Sequence, residues 1–151
     1  MKRIPIYIIL IALVFIAPVR RVDVGTLEPV EIIAVSKESG LTLVRTDTDD
    51  VGIGKSIEQA LEDLKQTATG VVYLDTAEFL LLAKGCEAEG QQLKKWLADS
   101  VRVCATQGEL DLKAAVKYLR AHGMFPKLSQ WKLNEKLPVL TSDNFFQKNV
   151  K

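Results

Sequence analysis

The chain has little of what most catalytic and metal sites are built from. Its 151 residues include one histidine and two cysteines, without a CxxC pair or a histidine-rich cluster. The sequence therefore predicts no metal site, and it contains neither G-x-S-x-G nor H-E-x-x-H. Its carboxylates are dispersed, and no spacing singles out an acid–base pair. We predict no catalytic residues and no cofactor, and therefore a protein that is not an enzyme.

Basic runs and aromatic residues are also scarce. Twenty Lys and Arg nearly balance nineteen Asp and Glu, and aromatic residues make up 7% of the chain. Without a basic surface or a stacking platform, nucleic-acid binding is not expected. The length is typical of one domain with its own core.

The one long apolar run lies at the N-terminus. Residues 4–19 carry no charge, and they follow Lys2 and Arg3 and precede Arg20 and Arg21. Sixteen helical residues at ~1.5 Å each reach about 24 Å, slightly less than a ~30 Å hydrocarbon core, and flanking arginines can extend to the interface. Residues 1–21 therefore predict a single-pass membrane anchor. The order of basic, apolar and globular segments favours an extracytoplasmic domain.

A cleaved signal peptide is the alternative interpretation of residues 1–21. Cleavage requires two small residues, but Phe15 occupies the position upstream of Ala17, and Pro18 would follow the cut. An uncleaved anchor is favoured, and a secreted binding domain remains the alternative. No cysteine near the end of the apolar run offers a lipoprotein site.

A glycine-rich stretch has two incompatible interpretations. It reads Gly52, Ile53, Gly54, Lys55, Ser56. As the second half of a phosphate-binding loop it would cradle a nucleotide, with Val71 to Asp75 as a Mg²⁺-positioning strand. However, Asp49 stands where the first glycine should be, and Asp47 and Asp50 would repel phosphate. A nucleotide- or phosphate-binding enzyme is therefore only the alternative function.

The same stretch also resembles a calcium loop. Asp47, Asp49, Gly52 and Glu58 fall at positions 1, 3, 6 and 12 of an EF-hand, but the preceding segment alternates like a strand rather than a helix. The favoured interpretation is a strand-to-helix joint without chemistry.

Ser56 is well suited to begin a helix at that joint. It would be the N-cap, with Gln59 completing a capping box. An apolar stripe then follows at helical spacing: Ile57, Ala60, Leu61, Leu64.

Hydrophobic periodicity predicts an α/β (α+β) domain with a mixed sheet and about three amphipathic helices, in the order β-β-α-β-β-α-β-α. The predicted elements are a hairpin (Val30–Ser36 and Leu41–Thr46, with a turn at Lys37–Gly40), a helix (Ser56–Thr67), two apolar runs (Val71–Leu74 and Glu78–Ala83), a helix (Gln91–Ser100), a strand (Val101–Thr106) and a helix (Asp111–Ala121). Within 78–83, strand and short helix cannot be distinguished by pattern.

We divide the chain into an anchor (1–21), a linker (22–29), the domain (30–123) and a C-terminal extension (124–151). The extension, which contains Trp131 and Phe145-Phe146, either packs along the domain or docks elsewhere.

Three residues remain as candidates for special chemistry. Cys86 and Cys104 could pair outside the membrane, but their apolar contexts favour buried, reduced thiols. His122 follows a predicted helix and is best interpreted as a residue that suits the negative end of the helix dipole. A cysteine–histidine pair is the alternative, and nothing local supports it.

The segment from Gly52 onward resembles a known family. Gly-x-Gly-Lys-Ser-Ile-Glu-Gln-Ala-Leu-Glu-Asp-Leu is similar to a helix motif in the N-terminal domain of Ger(x)C-type spore-germination proteins, and the later elements follow in the same order over roughly residues 30–125. The resemblance implies a membrane-attached, non-enzymatic subunit of a germinant-receptor complex, with protein partners and no transferred site residues. Members of that family attach through a lipid-bearing cysteine and are longer, whereas this chain has the apolar segment instead.

Overall fold

The computed structural model describes residues 27–141 as one small α/β domain. The predicted anchor at 1–21 and the Phe145-Phe146 pair lie outside these residues. The strands are β1 (Leu27–Pro29), β2 (Ile32–Glu38), β3 (Leu41–Thr46), β4 (Val51–Gly54), β5 (Val71–Tyr73), β6 (Phe79–Ala83), β7 (Arg102–Gln107) and β8 (Val139–Thr141). The helices are α1 (Ile57–Thr67), α2 (Glu87–Leu93) and α3 (Leu112–His122). The predicted α/β class, with a mixed sheet and three helices, is confirmed.

A six-stranded sheet in the order β4-β3-β2-β6-β7-β8 organises the domain. Strands β2, β6, β7 and β8 run parallel, while β3 is antiparallel to both of its neighbours. The short strands β1 and β5 form a separate parallel pair. The carboxyl ends of the four parallel strands therefore meet at one edge of the main sheet.

Helices cover the sheet on two sides, and each side has its own core. In β6, Leu80 and Leu82 point towards the first face, beneath α1 and α2, while Phe79 and Leu81 point towards the second face, beneath α3. A central parallel strand is buried on both faces, so its sequence is continuously apolar. This burial explains why the pattern at 78–83 did not distinguish strand from helix.

The predicted hairpin forms, but its turn is tighter than expected. Strand β2 extends to Glu38, which pairs with Leu41, so Ser39 and Gly40 alone make the turn. Both have positive φ, 51° and 81°. Two left-handed residues match the type I′ geometry whose twist suits a two-residue hairpin.

The second helix was predicted at 91–100, and this placement is wrong. Helix α2 spans Glu87–Leu93, so Gly90 lies inside the helix instead of breaking it. A Cβ on Gly90 would come within 2.5 Å of Leu82 Cδ1 and 3.3 Å of Trp131 Cζ3. The glycine permits close packing, a role that a local pattern cannot distinguish from a helix break.

The described part of the predicted C-terminal extension packs against the domain. Leu128 and Trp131 are 1% exposed and join the first-face core. The Trp131 indole N–H donates to the Glu135 carbonyl at 3.1 Å. Strand β8 then pairs with β7. At the other end, β1 begins inside the segment predicted as a linker.

Candidate functional site

The glycines of the Gly52–Ser56 stretch lie in an edge strand. Strand β4 pairs antiparallel with β3, and α1 packs directly over it. A Cβ on Gly52 would lie 2.0 Å from the Ala60 carbonyl oxygen, and one on Gly54 would lie 2.5 Å from the Ala60 nitrogen. Both glycines are therefore needed so that the helix backbone can approach the strand.

Side chains at the start of α1 accept hydrogen bonds from the nearby backbone N–H groups. The Ser56 hydroxyl accepts from the Gln59 N–H at 3.3 Å, and the Gln59 side chain accepts from the Lys55 N–H at 3.1 Å. The Ser56 contact confirms the predicted N-cap, whereas Gln59 bonds the N–H of Lys55, one residue before the position that a capping box requires. Asp63 accepts from the Ile53 N–H at 2.9 Å, so the amides of Ile53 and Lys55 already have partners. The geometry gives the phosphate-loop interpretation no support.

The acidic turn between β3 and β4 serves local structure. Asp47 accepts from the backbone N–H groups of Glu31 and Ile32, at 3.0 and 3.1 Å. Asp50 accepts from the Thr48 hydroxyl at 2.6 Å. Because strands flank this turn, it lacks the two helices of an EF-hand. Within residues 27–141, no group of three or more His, Cys, Asp or Glu side chains is arranged to hold a metal.

The two cysteines lie in different cores. Cys86 belongs to the first-face core and Cys104 to the second-face core, and both are buried free thiols. The disulfide alternative therefore has no geometric basis. Burial raises the pKa of both thiols, that of Cys104 to about 12. His122 stacks on Tyr118 at 4.2 Å, and its Nδ1 lies 2.9 Å from the Tyr118 carbonyl oxygen.

An open cleft of about 940 Å³ lies where β6 and β7 end. Parallel α/β sheets commonly bind ligands at this edge. Apolar side chains including Leu82, Leu137 and Val139 share the lining with Lys84 and Lys136.

The carboxylates of the cleft already have partners. Glu87 accepts from the Gly85 N–H at 3.4 Å, and Glu135 accepts from the Lys132 N–H at 3.3 Å. The cleft therefore offers binding groups rather than an acid–base pair.

A second candidate surface lies on β3 and β4. Residues alternate along these strands, so Val44 and its partner Gly52 face α1, while Leu43, Val51 and Ile53 face the opposite side. We call this opposite side, together with Leu41 and Arg45, the open sheet face. Val51 and Ile53 are 38% and 47% exposed there.

Two hollows separate the open sheet face from the start of α3. Their volumes are about 280 and 400 Å³, and Arg45, Leu110 and Leu112 line both. Arg45 bonds to Glu109 at 2.8 Å across the space between the sheet and the loop before α3. Val51 and Arg45 of the open sheet face line the 400 Å³ hollow, so the face and the hollows adjoin. We call them together the groove: the apolar side chains of the open sheet face form its floor, and the charged side chains of the hollows form its rim.

Sequence reasoning missed this groove because Val51–Gly54 was interpreted as a loop. The available signal was the alternation of Val51 and Ile53 with two glycines, which is a strand period with small residues on the helix-covered side.

No family model, curated protein or solved structure matches the chain. Between residues 27 and 141, no helix combines the length and apolar character needed to cross a membrane.

Proposed function

We propose that the chain is a non-enzymatic interaction domain held at a membrane by its N-terminal segment, with the domain on the extracytoplasmic side. The observation that carries the proposal is the open sheet face. Strands β3 and β4 are antiparallel, and antiparallel strands commonly have one covered and one open face. Here α1 covers β3 and β4 on one side, whereas Val51 and Ile53 remain exposed on the other.

The composition of the open sheet face supports a protein partner. Aliphatic side chains line its floor, and exposed apolar patches on soluble domains commonly mark interaction sites. Direct addition of a strand to β4 is hindered, since Asp63 accepts from the Ile53 N–H and the Thr67 hydroxyl donates to the Val51 carbonyl. The free surface is the face of these strands, and a partner would cover it from above.

The membrane part of the proposal rests on the sequence. The five residues between Arg21 and β1 reach at most about 17 Å when extended. The β1–β5 end of the domain would therefore lie close to the bilayer. Val71 and Tyr73 of β5 are 49% and 45% exposed at that end, and tyrosine is enriched at membrane interfaces.

We further propose that the protein belongs to a membrane complex of endospore formers and that this complex is related to germinant receptors. This link is supported by the resemblance to Ger(x)C-type domains over roughly residues 30–125. We expect the gene to lie next to germinant-receptor or sporulation genes. A gene neighbourhood without them would contradict the proposed link to germinant receptors.

Membrane fractionation tests the tether. The full chain should remain with membranes through a high-salt wash, because an apolar segment is not held by charge. A variant beginning at Val22 should be released into the soluble fraction. Soluble full-length protein would contradict the tether.

The mass of the mature protein separates the anchor from the secreted alternative. We expect residues 1–21 to be present in the membrane-bound form. A mature N-terminus after Ala17 or further along the chain would assign the protein to the secreted class instead.

A further inference from the structure

We infer that the open sheet face binds a basic amphipathic helix of a partner protein, lying alongside α3. This inference rests on the proposed function and names the partner of that surface. Its evidence is the shape of the groove, its apolar floor and the charge of its rim.

The groove has the dimensions of one helix. On the second face, α3 packs over the core that contains Ile32, Phe79 and Leu81, at the β2–β6–β7 side of the sheet. Strand β2 is shared, since Ile32 lies in the α3 core while Ser36 and Glu38 line the smaller hollow. The uncovered part therefore reaches across β4, β3 and the end of β2, about 10 Å at ~4.8 Å per spacing, which matches a helix diameter. Leu110 and Leu112 form the wall on the α3 side. A second helix would thus complete the layer that α3 begins.

The floor of the groove offers an apolar area against which one face of a helix can pack. Leu43 lies opposite Ile53, and Arg45 lies opposite Val51, so three aliphatic side chains form one cluster. A helix that presents residues at i, i+3, i+4 and i+7 places an apolar stripe against such a floor.

The rim selects a cationic partner. Five carboxylates and two cations line the two hollows, and both cations are already paired, Arg45 with Glu109 and Lys113 with Asp49. The other carboxylates belong to Glu38, Asp50 and Asp111. Asp50 accepts from the Thr48 hydroxyl and Asp111 from the Ala114 N–H, and neither contact neutralises the charge. The lining therefore carries a net charge of −3. Lysine or arginine on both flanks of the apolar stripe would complement it.

The same charge disfavours other occupants. A second copy of this face would bring two acidic rims together, and the anionic backbone of a nucleic acid would be repelled. The Asp63 and Thr67 contacts to β4 stand in the way of an added strand.

A peptide titration against the full chain tests the inference. The protein is placed in nanodiscs of phosphatidylcholine, with empty nanodiscs as the blank. The probe is a labelled helical peptide of about 14 residues, close to the ~20 Å length of β3, with leucines at i, i+3, i+4 and i+7 and lysines on the flanks. A second peptide has glutamate in place of every lysine. Fluorescence anisotropy reports binding.

Matched valine variants locate the binding surface. Val51→Ser should weaken binding of the lysine peptide about tenfold, because a buried aliphatic contact is lost. Val139→Ser removes the same side chain from another exposed strand position and should leave the affinity unchanged. Circular dichroism and thermal unfolding of both variants must match the parent, so that the comparison concerns the surface alone.

Four outcomes would overturn the inference. Equal binding of the two peptides would remove the charge selection, and equal affinity of the two valine variants would remove the site. Binding that emerges only after Phe145→Ser and Phe146→Ser would assign the groove to the chain's own C-terminal segment. A dimer that sedimentation shows to dissociate in Val51→Ser would assign it to a second copy.

The outcomes are independent of the tether. Failure of peptide binding with normal membrane fractionation rejects the basic helix and leaves membrane attachment in place. Normal peptide binding by a full-length chain that is soluble rejects membrane attachment and leaves the basic helix as the partner.

Discussion

At the scale of single residues, Gly52 sets the distance between β4 and α1. A Cβ at this position would lie 2.0 Å from the Ala60 carbonyl oxygen and 2.6 Å from Leu64 Cβ. These atoms belong to the helix backbone and to a side-chain base, so they cannot rotate away. The glycine is required for packing, not for phosphate binding.

We predict that Gly52→Ala lowers the free energy of unfolding by about 3 kcal/mol, since helix and strand must separate. Gly108→Ala is the control, because Gly108 has a φ of +87° but no atom within 4 Å of its added Cβ. It should cost only about 1 kcal/mol through backbone strain. Urea unfolding measures both, and equal losses would contradict the packing argument.

Lys55 offers a test of the alternative enzyme function. Its side chain is exposed and its N–H is bonded to Gln59. We expect millimolar Mg²⁺-ATP or Mg²⁺-GTP to leave the unfolding temperature unchanged in both the parent and Lys55→Ala. A bound nucleotide at ~100 times its Kd would add about 2.7 kcal/mol of stability. A rise in the unfolding temperature that occurs in the parent and is lost in Lys55→Ala would support the phosphate-loop interpretation.

Because of the Cys104 thiol, we expect the free energy of unfolding to fall as the pH rises in the alkaline range. Burial raises its pKa to about 12 in the folded protein, whereas an unfolded thiol ionises near ~8.5. The raised pKa means that the folded state keeps a proton which the unfolded state releases. Stability from this group is therefore complete below the unfolded pKa and declines as the pH rises from there towards 12.

We predict a steeper loss of stability between pH 9 and 11 in the parent than in Cys104→Ala, by up to about 1.4 kcal/mol per pH unit. Urea unfolding at successive pH values measures the difference, and other titrating groups cancel because both proteins share them. Parallel pH profiles would contradict the buried thiol.

At the scale of elements, α1 is the best-specified part of the domain. Its N-cap and its apolar stripe were both predicted from the sequence, and the structure confirms the cap and the burial of the stripe. Helix α3 behaves similarly, with Asp111 as its N-cap. Arg120 of α3 also bonds to Glu78 at 2.7 and 3.0 Å, and this pairing lowers the pKa of Glu78. The C-terminal part of α3 is thus tied by a polar contact to the residue before β6.

We predict that Ser56→Ala lowers the free energy of unfolding by about 1 kcal/mol, because the Gln59 N–H loses its acceptor. Ser36→Ala, at a half-buried position in β2, should change it by no more than about 0.5 kcal/mol. Chemical unfolding of the two variants gives the comparison. A Ser56→Ala loss as small as that of Ser36→Ala would argue against the cap.

Elements that depend on glycine were the ones that local pattern missed. Gly52 and Gly54 indicate a turn in the sequence, yet they lie in β4 because α1 needs a strand without side chains. Gly90 indicates a break, yet it lies inside α2 beneath Trp131. In each case the reason for the glycine is a neighbour distant in the sequence, so a local window contains no trace of it.

At the scale of the whole molecule, the described part of the C-terminal segment belongs to the domain. Trp131 fills the first-face core, and its carbonyl accepts from Lys94 at 2.9 Å and from Gln91 at 3.2 Å. Strand β8 then borders the carboxyl-edge cleft through Val139. The segment after α3 therefore contributes both to stability and to a surface.

We predict that Trp131→Ala lowers the free energy of unfolding by about 4 kcal/mol, the cost of a large cavity in a close-packed core. Leu133→Ala lies in the same segment but removes a side chain that is 51% exposed, and it should cost less than about 1 kcal/mol. Thermal or urea unfolding distinguishes them. Similar small losses would mean that the segment is peripheral.

The sequence by itself determined the class of the fold, the two capped amphipathic helices, the hairpin and the buried strands. These features arise from periodicity and capping within a few residues of one another, as with Ser56 and Gln59. It also supplies the whole argument for the anchor at 1–21, which stays a prediction.

Tertiary structure alone decided which glycines pack, which cysteine lies in which core, and which face of β3 and β4 is covered by no helix of residues 27–141. The open sheet face exists because α1 covers one side of these strands, while α3 lies over the neighbouring part of the other. Coverage of a sheet depends on the path of the whole chain, and no stretch of residues encodes it on its own.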